Sequence, residues 1–363
     1  MIDLAEIIEQ YQESFFLKYK GSITSQQRWA LNCIVNCQKS NHLEMVLKCD
    51  GCGAYEIKPH SCGNRNCPKC QNHETSIWLD RQRSKLLPVD YYMITFTLPA
   101  QLRSLCYTHQ KEIYDLMFFF VAQTLKEFAL NPENIGGEIG FTSVLHTSTR
   151  KLGYHPHIHV LIPGGAIDKV KGLWKKKKTK YLFSPDNLSK VFGAKFRQAV
   201  YEKGYTFPGL PKKWVVDVVN VGHGEAALKY LSKYMYRGPI SEKQIVSNHN
   251  GEVTFAYIES ESKKRETRTL PGEDFLMLIL QHVLPKGFRR SRDYGFLHPN
   301  AKKTLLRLQL FFHVKVTRQE ERKRSTFCCK KCGGNMKVVR YGIKSNLKYN
   351  AAAKKRAGPQ QCE

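Results

Sequence analysis

Three imidazoles stand at alternate positions in the stretch GYHPHIHVLIPGG, residues 153–165: His155, His157 and His159. Strand side chains alternate between faces, so the three would share one face while Ile158, Val160 and Ile162 take the other. That arrangement could hold a metal ion. The competing reading is a polar strand face whose imidazoles are each hydrogen-bonded separately, as an isolated histidine would be. A second stretch, EAALKYLSKYMYRGP, sets Tyr230 and Tyr234 four residues apart on one helical face, with Lys233 and Arg237 close by. Two tyrosines at that spacing can simply pack. Yet no G-x-S-x-G, no phosphate loop and no cysteine beside an evident base offers a better nucleophile. A histidine metal strand followed by a basic helix with two phenols suits phosphoryl transfer to tyrosine.

The run CDGCGAYEIKPHSCGNRNCPKC packs five cysteines into 22 residues. Its two C-x-x-C pairs, Cys49 with Cys52 and Cys67 with Cys70, predict one tetrahedral thiolate site for Zn²⁺, with Cys62 and His60 as spare ligands. A closed four-thiolate site holds a small module together and does no chemistry itself. Arg65, Lys69, Arg81 and Arg83 around it are expected to dock on DNA. Near the other end, CCKKCGGNM offers Cys328, Cys329 and Cys332, with Cys362 as the one evident distant companion. A second zinc site is the rival there to a flexible basic tail, and the tail is the reading preferred.

The chain of 363 residues carries 58 Lys and Arg against 31 Asp and Glu, a net charge of +27. Such an excess points to a polyanionic partner, nucleic acid first. A membrane surface is the rival, but Met1 to Gln10 is acidic, no signal peptide is visible, and Phe275 to Leu284 is too short to span a bilayer. A soluble, cytoplasmic, nucleoid-associated protein is expected. Lys169 to Lys180 holds seven lysines with Trp174 and Tyr181 interleaved, so Lys175, Lys176, Lys177 and Lys178 are expected to track a DNA backbone while Trp174 stacks bases. Fourteen further Lys or Arg lie between Lys315 and Arg356.

Periodicity supplies the elements that must position these groups. Residues 1–45 read as helical and 46–75 as the zinc module. An α+β catalytic domain over 85–240 alternates strand Tyr91–Leu98, helix Glu112–Leu130 with an aromatic stripe, strand Glu138–His146 and the histidine strand paired with it as a hairpin. Helix Asn187–Tyr201, strand Trp214–Val219 and the tyrosine helix from Glu225 to about Tyr236 follow. A helical extension, 241–313, includes a short strand, Val253–Ile258, and helices Glu273–Leu284 and Ala301–Phe312. The basic tail is 314–363.

In this order, ITFTLP (94–99), HPHIHVL (155–161) and YLSKY (230–234) resemble the three motifs of HUH single-strand endonucleases. With SCGNRNCPKC in front and SRDYGFLHP at 291–299, the chain from about 46 to 300 looks like the rolling-circle insertion-sequence transposases of the IS91 type, relatives of Helitrons. It departs at Ser148-Thr149, where an aromatic and a small residue would be expected. The resemblance implies an HUH core of central antiparallel sheet flanked by helices, behind a zinc-ribbon-like module. It implies that His157 and His159 bind one Mg²⁺ or Mn²⁺ with a third polar side chain, for which His146 is favoured over His155 or His223. It further implies that Tyr230 or Tyr234, helped by Lys233, cuts single-stranded DNA at element-end hairpins through a 5′-phosphotyrosine. Arg237 would lie on the DNA path. A plasmid replication initiator or relaxase would share this chemistry, and a zinc-dependent DNA-binding regulator would lack it.

Overall fold

Five antiparallel strands form the central sheet, in the order Ser291–Tyr294, Phe141–Ser148, Tyr154–Pro163, Tyr91–Thr97 and Val215–Asn220. The computed structural model describes residues 2–39, 43–70, 72–168, 170–177, 182–207, 209–235, 238–316 and 327–344, with the side chains of Tyr234 and of 342–344 outside that set. Alternation divides the sheet by chemistry. On one face Ile94, Phe96, Leu145, Ile158, Val160 and Ile162 are fully buried under helices Gln110–Leu130 and Pro185–Glu202. Each such side chain contributes about 1.5–3 kcal/mol by leaving water. In the aromatic stripe of the first helix Tyr114 and Phe118 join this core, whereas Phe119, one residue on, faces solvent.

The opposite sheet face carries the histidines. There helix Glu225–Met235 lays Ala227, Leu228, Leu231 and Met235 against Val144, Leu161 and Tyr91, with Trp78 of helix Asn72–Arg83 behind. Helix Asn72–Arg83 and the lysine beyond it tie to the edge strand through a polar network: Asp293 accepts from Lys85 Nζ at 2.6 Å and from Thr142 Oγ1 at 2.6 Å. Strand Ser291–Tyr294 was not legible in the sequence, being four residues long and charged, yet it pairs with Phe141–Val144 at the sheet edge.

A second core joins both flanks of the sheet domain in sequence. Helices Leu4–Lys18 and Ser25–Val35 bury Ile7, Ile8, Phe15, Leu31 and Ile34 against helix Gly272–Leu280 and the three-stranded sheet Arg265–Pro271, Glu252–Ile258, Ile245–His249. Their starts are capped by Asp3, which accepts from Ala5 N at 2.9 Å, and by a Thr24–Gln27 capping box. Gly272 is required at the crossing, because a Cβ there would lie 2.4 Å from the Tyr11 ring. From this body Gln281 Nε2 and His282 Nε2 both donate to the carbonyl of Leu152, each at 2.8 Å. They hold Leu152 at φ +63° and fix the turn that leads into the histidine strand.

The C-terminal segment departs from the expected flexible tail. Residues 327–344 form a hairpin, and strand Asn335–Lys344 pairs antiparallel with Leu43–Cys49, giving a four-stranded sheet ordered Phe327–Cys328, Asn335–Lys344, Leu43–Cys49, Tyr55–Pro59. The run MKVVRYGI has β-branched and aromatic content suited to a strand, which its basic residues mask in a charge-based reading. Without it, Leu43–Cys49 would expose an open edge. The fold is α+β. No helix among the described residues is long and apolar enough to cross a membrane.

Candidate functional site

Register brings the histidines together. His146 stands directly across from His157, and His159 lies across from Thr95 on the other neighbouring strand. The rings of His146 and His159 are 4.5 Å apart, those of His157 and His159 4.8 Å, and those of His146 and His157 5.3 Å. One nitrogen from each lies within 4.8 Å of the others, so His146, His157 and His159 form a cluster able to grip a metal ion.

Neighbouring hydrogen bonds orient these rings. His157 Nδ1 donates to the His155 carbonyl at 2.7 Å, leaving Nε2 with a bare lone pair. Thr95 Oγ1 bonds His159 Nδ1 at 2.9 Å, while His159 Nε2 is buried with no hydrogen-bond partner among the described residues. A buried imidazole nitrogen with no protein partner fits a metal ligand held from behind. Burial pushes His159 down to about 3 and His157 to about 4, and holds His146 well below the usual imidazole range, where its two histidine neighbours add to the effect. Neutral imidazole is the state a metal needs. His155 is otherwise engaged, its Nδ1 accepting from Arg103 Nη2 at 2.9 Å, and His223 is exposed in the turn before the tyrosine helix.

The apolar stripe Ala227, Leu228, Leu231 sets the rotation of that helix on the sheet and places Tyr230 beside the cluster. Its ring is 5.9 Å from that of His159 and 6.1 Å from that of His146, while 39% of the residue stays exposed. Lys233 is exposed three residues on. The backbone of Tyr234 continues the helix; its side chain, Arg237, Lys178 and Tyr181 lie outside the described residues. Thr95 was missed as a site residue although it sits inside ITFTLP; alternation with Ile94 and Phe96 was the available signal.

The cysteines correct the expected zinc site. Cys49, Cys52, Cys67 and Cys70 do not converge: Cys67 and Cys70 group with Cys37 and Cys62, and Cys49 and Cys52 group with Cys329 and Cys332. In the first group Cys70 Sγ lies 3.4 Å from Cys37 Sγ and 3.7 Å from Cys62 Sγ. Sequence spacing misled because Cys49 ends, and Cys52 follows, the strand Leu43–Cys49 that pairs with Asn335–Lys344, whereas Cys67 and Cys70 pack with Cys37 in the core of the helical body. His60 is in neither group; its Nδ1 bonds the Ser61 carbonyl at 2.6 Å.

Several expected DNA contacts are occupied internally. Lys69 Nζ lies 2.6 Å from Asp3 Oδ2, and Arg65 donates to the Phe288 carbonyl at 3.0 Å, so both brace the module against the body. Trp174 packs edge-on against Phe296 and Phe312, at 6.0 and 5.4 Å, and is half-buried. Lys175 is held by Asp168 at 2.8 Å and by the Gly136 carbonyl at 2.9 Å. Lys177 sits over the Tyr92 ring at 4.6 Å, and Lys176 is exposed. An interleaved basic–aromatic run thus reads the same whether its aromatics pack or stack.

Residues 7–98 match a family described as "Transposase zinc-binding domain" and residues 140–304 one described as "Putative transposase". The chain is 31% identical over 319 residues to "Putative transposase y4qJ" of Sinorhizobium fredii, covering 81% of this chain and 80% of that protein. It is 25% identical over 320 residues to the transposase for insertion sequence element IS801 of Pseudomonas savastanoi pv. phaseolicola, covering 77% of this chain and 75% of that one. Among solved structures, the conjugative relaxase TrwC in complex with oriT DNA overlays with a TM-score of 0.27 at 13% identity, over 62% of this chain and 73% of that one, too loosely to carry weight. Zinc is the ion such an N-terminal cysteine module takes, and Cys37, Cys62, Cys67 and Cys70 lie wholly within the zinc-domain match. By its sequence relatives and both domain matches, the chain belongs to the IS91-type transposases that carry an N-terminal zinc-binding domain.

Proposed function

We propose that this transposase nicks and rejoins single-stranded DNA at its element ends, with Tyr230 as nucleophile beside a divalent metal held by His146, His157 and His159. The observation that carries the reading is the Tyr230 ring about 6 Å from two imidazoles of a three-histidine cluster in a residue that stays partly exposed. An all-imidazole set is softer than the oxygen sets Mg²⁺ prefers, and so favours Mn²⁺. The bound ion would polarise a non-bridging oxygen of the scissile phosphate and stabilise its developing charge.

Tyr230 Oη attacks the phosphorus in line. The Oη–P bond forms, the P–O3′ bond breaks, the phenol proton passes to solvent, and the leaving 3′ oxygen takes a proton from solvent. A phenol of ordinary pKa near 10 is mostly neutral at working pH, and the exposed Lys233 cation lowers the cost of the phenolate. The 5′-phosphotyrosine retains the energy of the phosphodiester, so a 3′-hydroxyl can reverse the step without ATP. Tyr234, one turn on, is the second nucleophile of a rolling-circle reaction, allowing successive transfers without release of the ends. The test is covalent capture: wild-type protein incubated with a single-stranded element-end oligonucleotide and Mn²⁺ forms a denaturant-resistant adduct that chelator prevents. Binding without any adduct would instead favour a zinc-dependent DNA-binding regulator.

A further inference from the structure

Half the ligands of the second cysteine cluster come from residues beyond the zinc-domain match at 7–98, at the far end of the chain. We infer that Cys49, Cys52, Cys329 and Cys332 hold a second structural Zn²⁺ that clasps the C-terminal hairpin onto the N-terminal sheet.

The geometry is that of a tetrahedral thiolate site. Cys49 Sγ lies 3.5 Å from Cys332 Sγ, and Cys52 Sγ lies 3.6 Å from Cys329 Sγ, with all four sulfurs within 4.8 Å of one another. Sulfurs about 2.3 Å from a shared Zn²⁺ at tetrahedral angles are about 3.8 Å apart. The two halves are built alike. In Cys49-Asp50-Gly51-Cys52-Gly53 the Cys49 N–H donates to the Ala54 carbonyl at 2.8 Å and the Gly53 N–H returns to the Cys49 carbonyl at 3.1 Å. In Cys329-Lys330-Lys331-Cys332-Gly333 the Cys329 N–H donates to the Gly334 carbonyl at 2.8 Å and the Gly333 N–H returns to the Cys329 carbonyl at 2.9 Å. Gly53 and Gly333 close the two knuckles at φ +71° and +72°, a left-handed conformation that glycine adopts freely. Gly334 also lets the knuckles meet, since a Cβ there would sit 3.3 Å from Cys332 Sγ and 3.4 Å from Cys49 Sγ.

Packing alone is a weak reason for the hairpin to stay. The small core beneath this sheet is Met45, Leu47, Cys49, Cys329 and Met336, so the cysteines are part of what little is buried. Its outer surface is wet, with Tyr55, Val339 and Tyr341 all more than half exposed. A metal joining Cys52 to Cys329, 277 positions apart, removes chain freedom that so small a core would not hold. Two ends of the transposase would then fold as one unit only when metal is present.

The experiment is zinc counting by mass spectrometry on the full chain purified under reducing conditions, every protein also carrying His157→Ala/His159→Ala so that the imidazole cluster takes no zinc and wild type here means unaltered cysteines, with Co²⁺ titration of the metal-free chain as a second readout. Wild type is expected to hold two zinc ions per chain, and its thiolate-to-cobalt charge-transfer band to keep growing to two equivalents. The Cys329→Ala/Cys332→Ala variant should hold one, and Cys332→His, which keeps a ligand, should hold two. One zinc in wild type, iron in its place, or two zinc ions retained in the double variant would overturn the clasp. Should the double variant fail to fold, the wild-type count and cobalt endpoint decide alone.

Discussion

The Tyr230 ring meets that of His159 edge-on, with centroids 5.9 Å apart and planes at 84°. A phenol that served only to pack would face the apolar stripe of its helix; this one faces the imidazoles. Tyr230→Phe keeps the ring and removes the oxygen. It is expected to leave the fold and oligonucleotide binding intact and to lower covalent capture by on the order of 10³-fold or more, measured as adduct in single-turnover reactions. Capture within tenfold of wild type would move the nucleophile elsewhere.

Thr95 Oγ1 bonds the cluster through His159 Nδ1, at 2.9 Å. Thr95→Val keeps the shape and deletes that bond, so it acts on ring orientation. We expect Mn²⁺ affinity to fall by about 10- to 100-fold while the rate at saturating Mn²⁺ stays near wild type. Metal titrations of oligonucleotide cleavage separate the two effects, and a loss that no Mn²⁺ concentration restores would show that Thr95 does more than orient.

Leu231 is fully buried between the tyrosine helix and the sheet. Leu231→Ala should cost about 2–5 kcal/mol of stability. Because this contact sets the helix rotation, capture should fall further than the unfolded fraction explains. Urea unfolding beside single-turnover rates tests this; a rate loss that tracks unfolding alone would leave the helix without a positioning role.

The sheet faces were legible because strand alternation is a local property: ITFTLP and HPHIHVL each announce which residues point together, and both strands formed where expected. The pairing of the histidine strand with the strand before it was legible as a hairpin, a connection between neighbours in sequence, whereas the register that sets His146 opposite His157 was not. What else stayed hidden was long-range. Nothing local to Cys49 and Cys52 announces partners at Cys329 and Cys332, and nothing local to Cys67 points back to Cys37. The packing of Trp174 on Phe312 and the bond from Lys175 to the Gly136 carbonyl were hidden for the same reason, their partners being distant in sequence.

Burial also sets a pH dependence for the metal-free chain. Burial holds His282 at about 4 against an opposing bond to the Leu152 carbonyl, and His157 and His159 at about 4 and 3. An unfolded histidine titrates near 6.5. Between roughly pH 6.5 and 4 the unfolded chain therefore binds protons the native chain refuses, and stability falls as pH falls. Urea midpoints of metal-free protein should drop steadily from pH 7 to 4.5, and His282→Gln should flatten the slope while lowering stability at pH 7. A midpoint constant over that range would contradict the burial of these rings.

The most direct test of the central claim is to find the atom that DNA is joined to. Wild-type protein is allowed to react with a single-stranded element-end oligonucleotide in Mn²⁺, digested with nuclease and protease, and mapped by tandem mass spectrometry. A 5′-nucleotide phosphodiester is expected on Tyr230, absent when chelator is added or when His157 and His159 are replaced by alanine. Cleaved DNA with no covalent peptide, or a nucleotide on a residue remote from the histidine cluster, would contradict the claim.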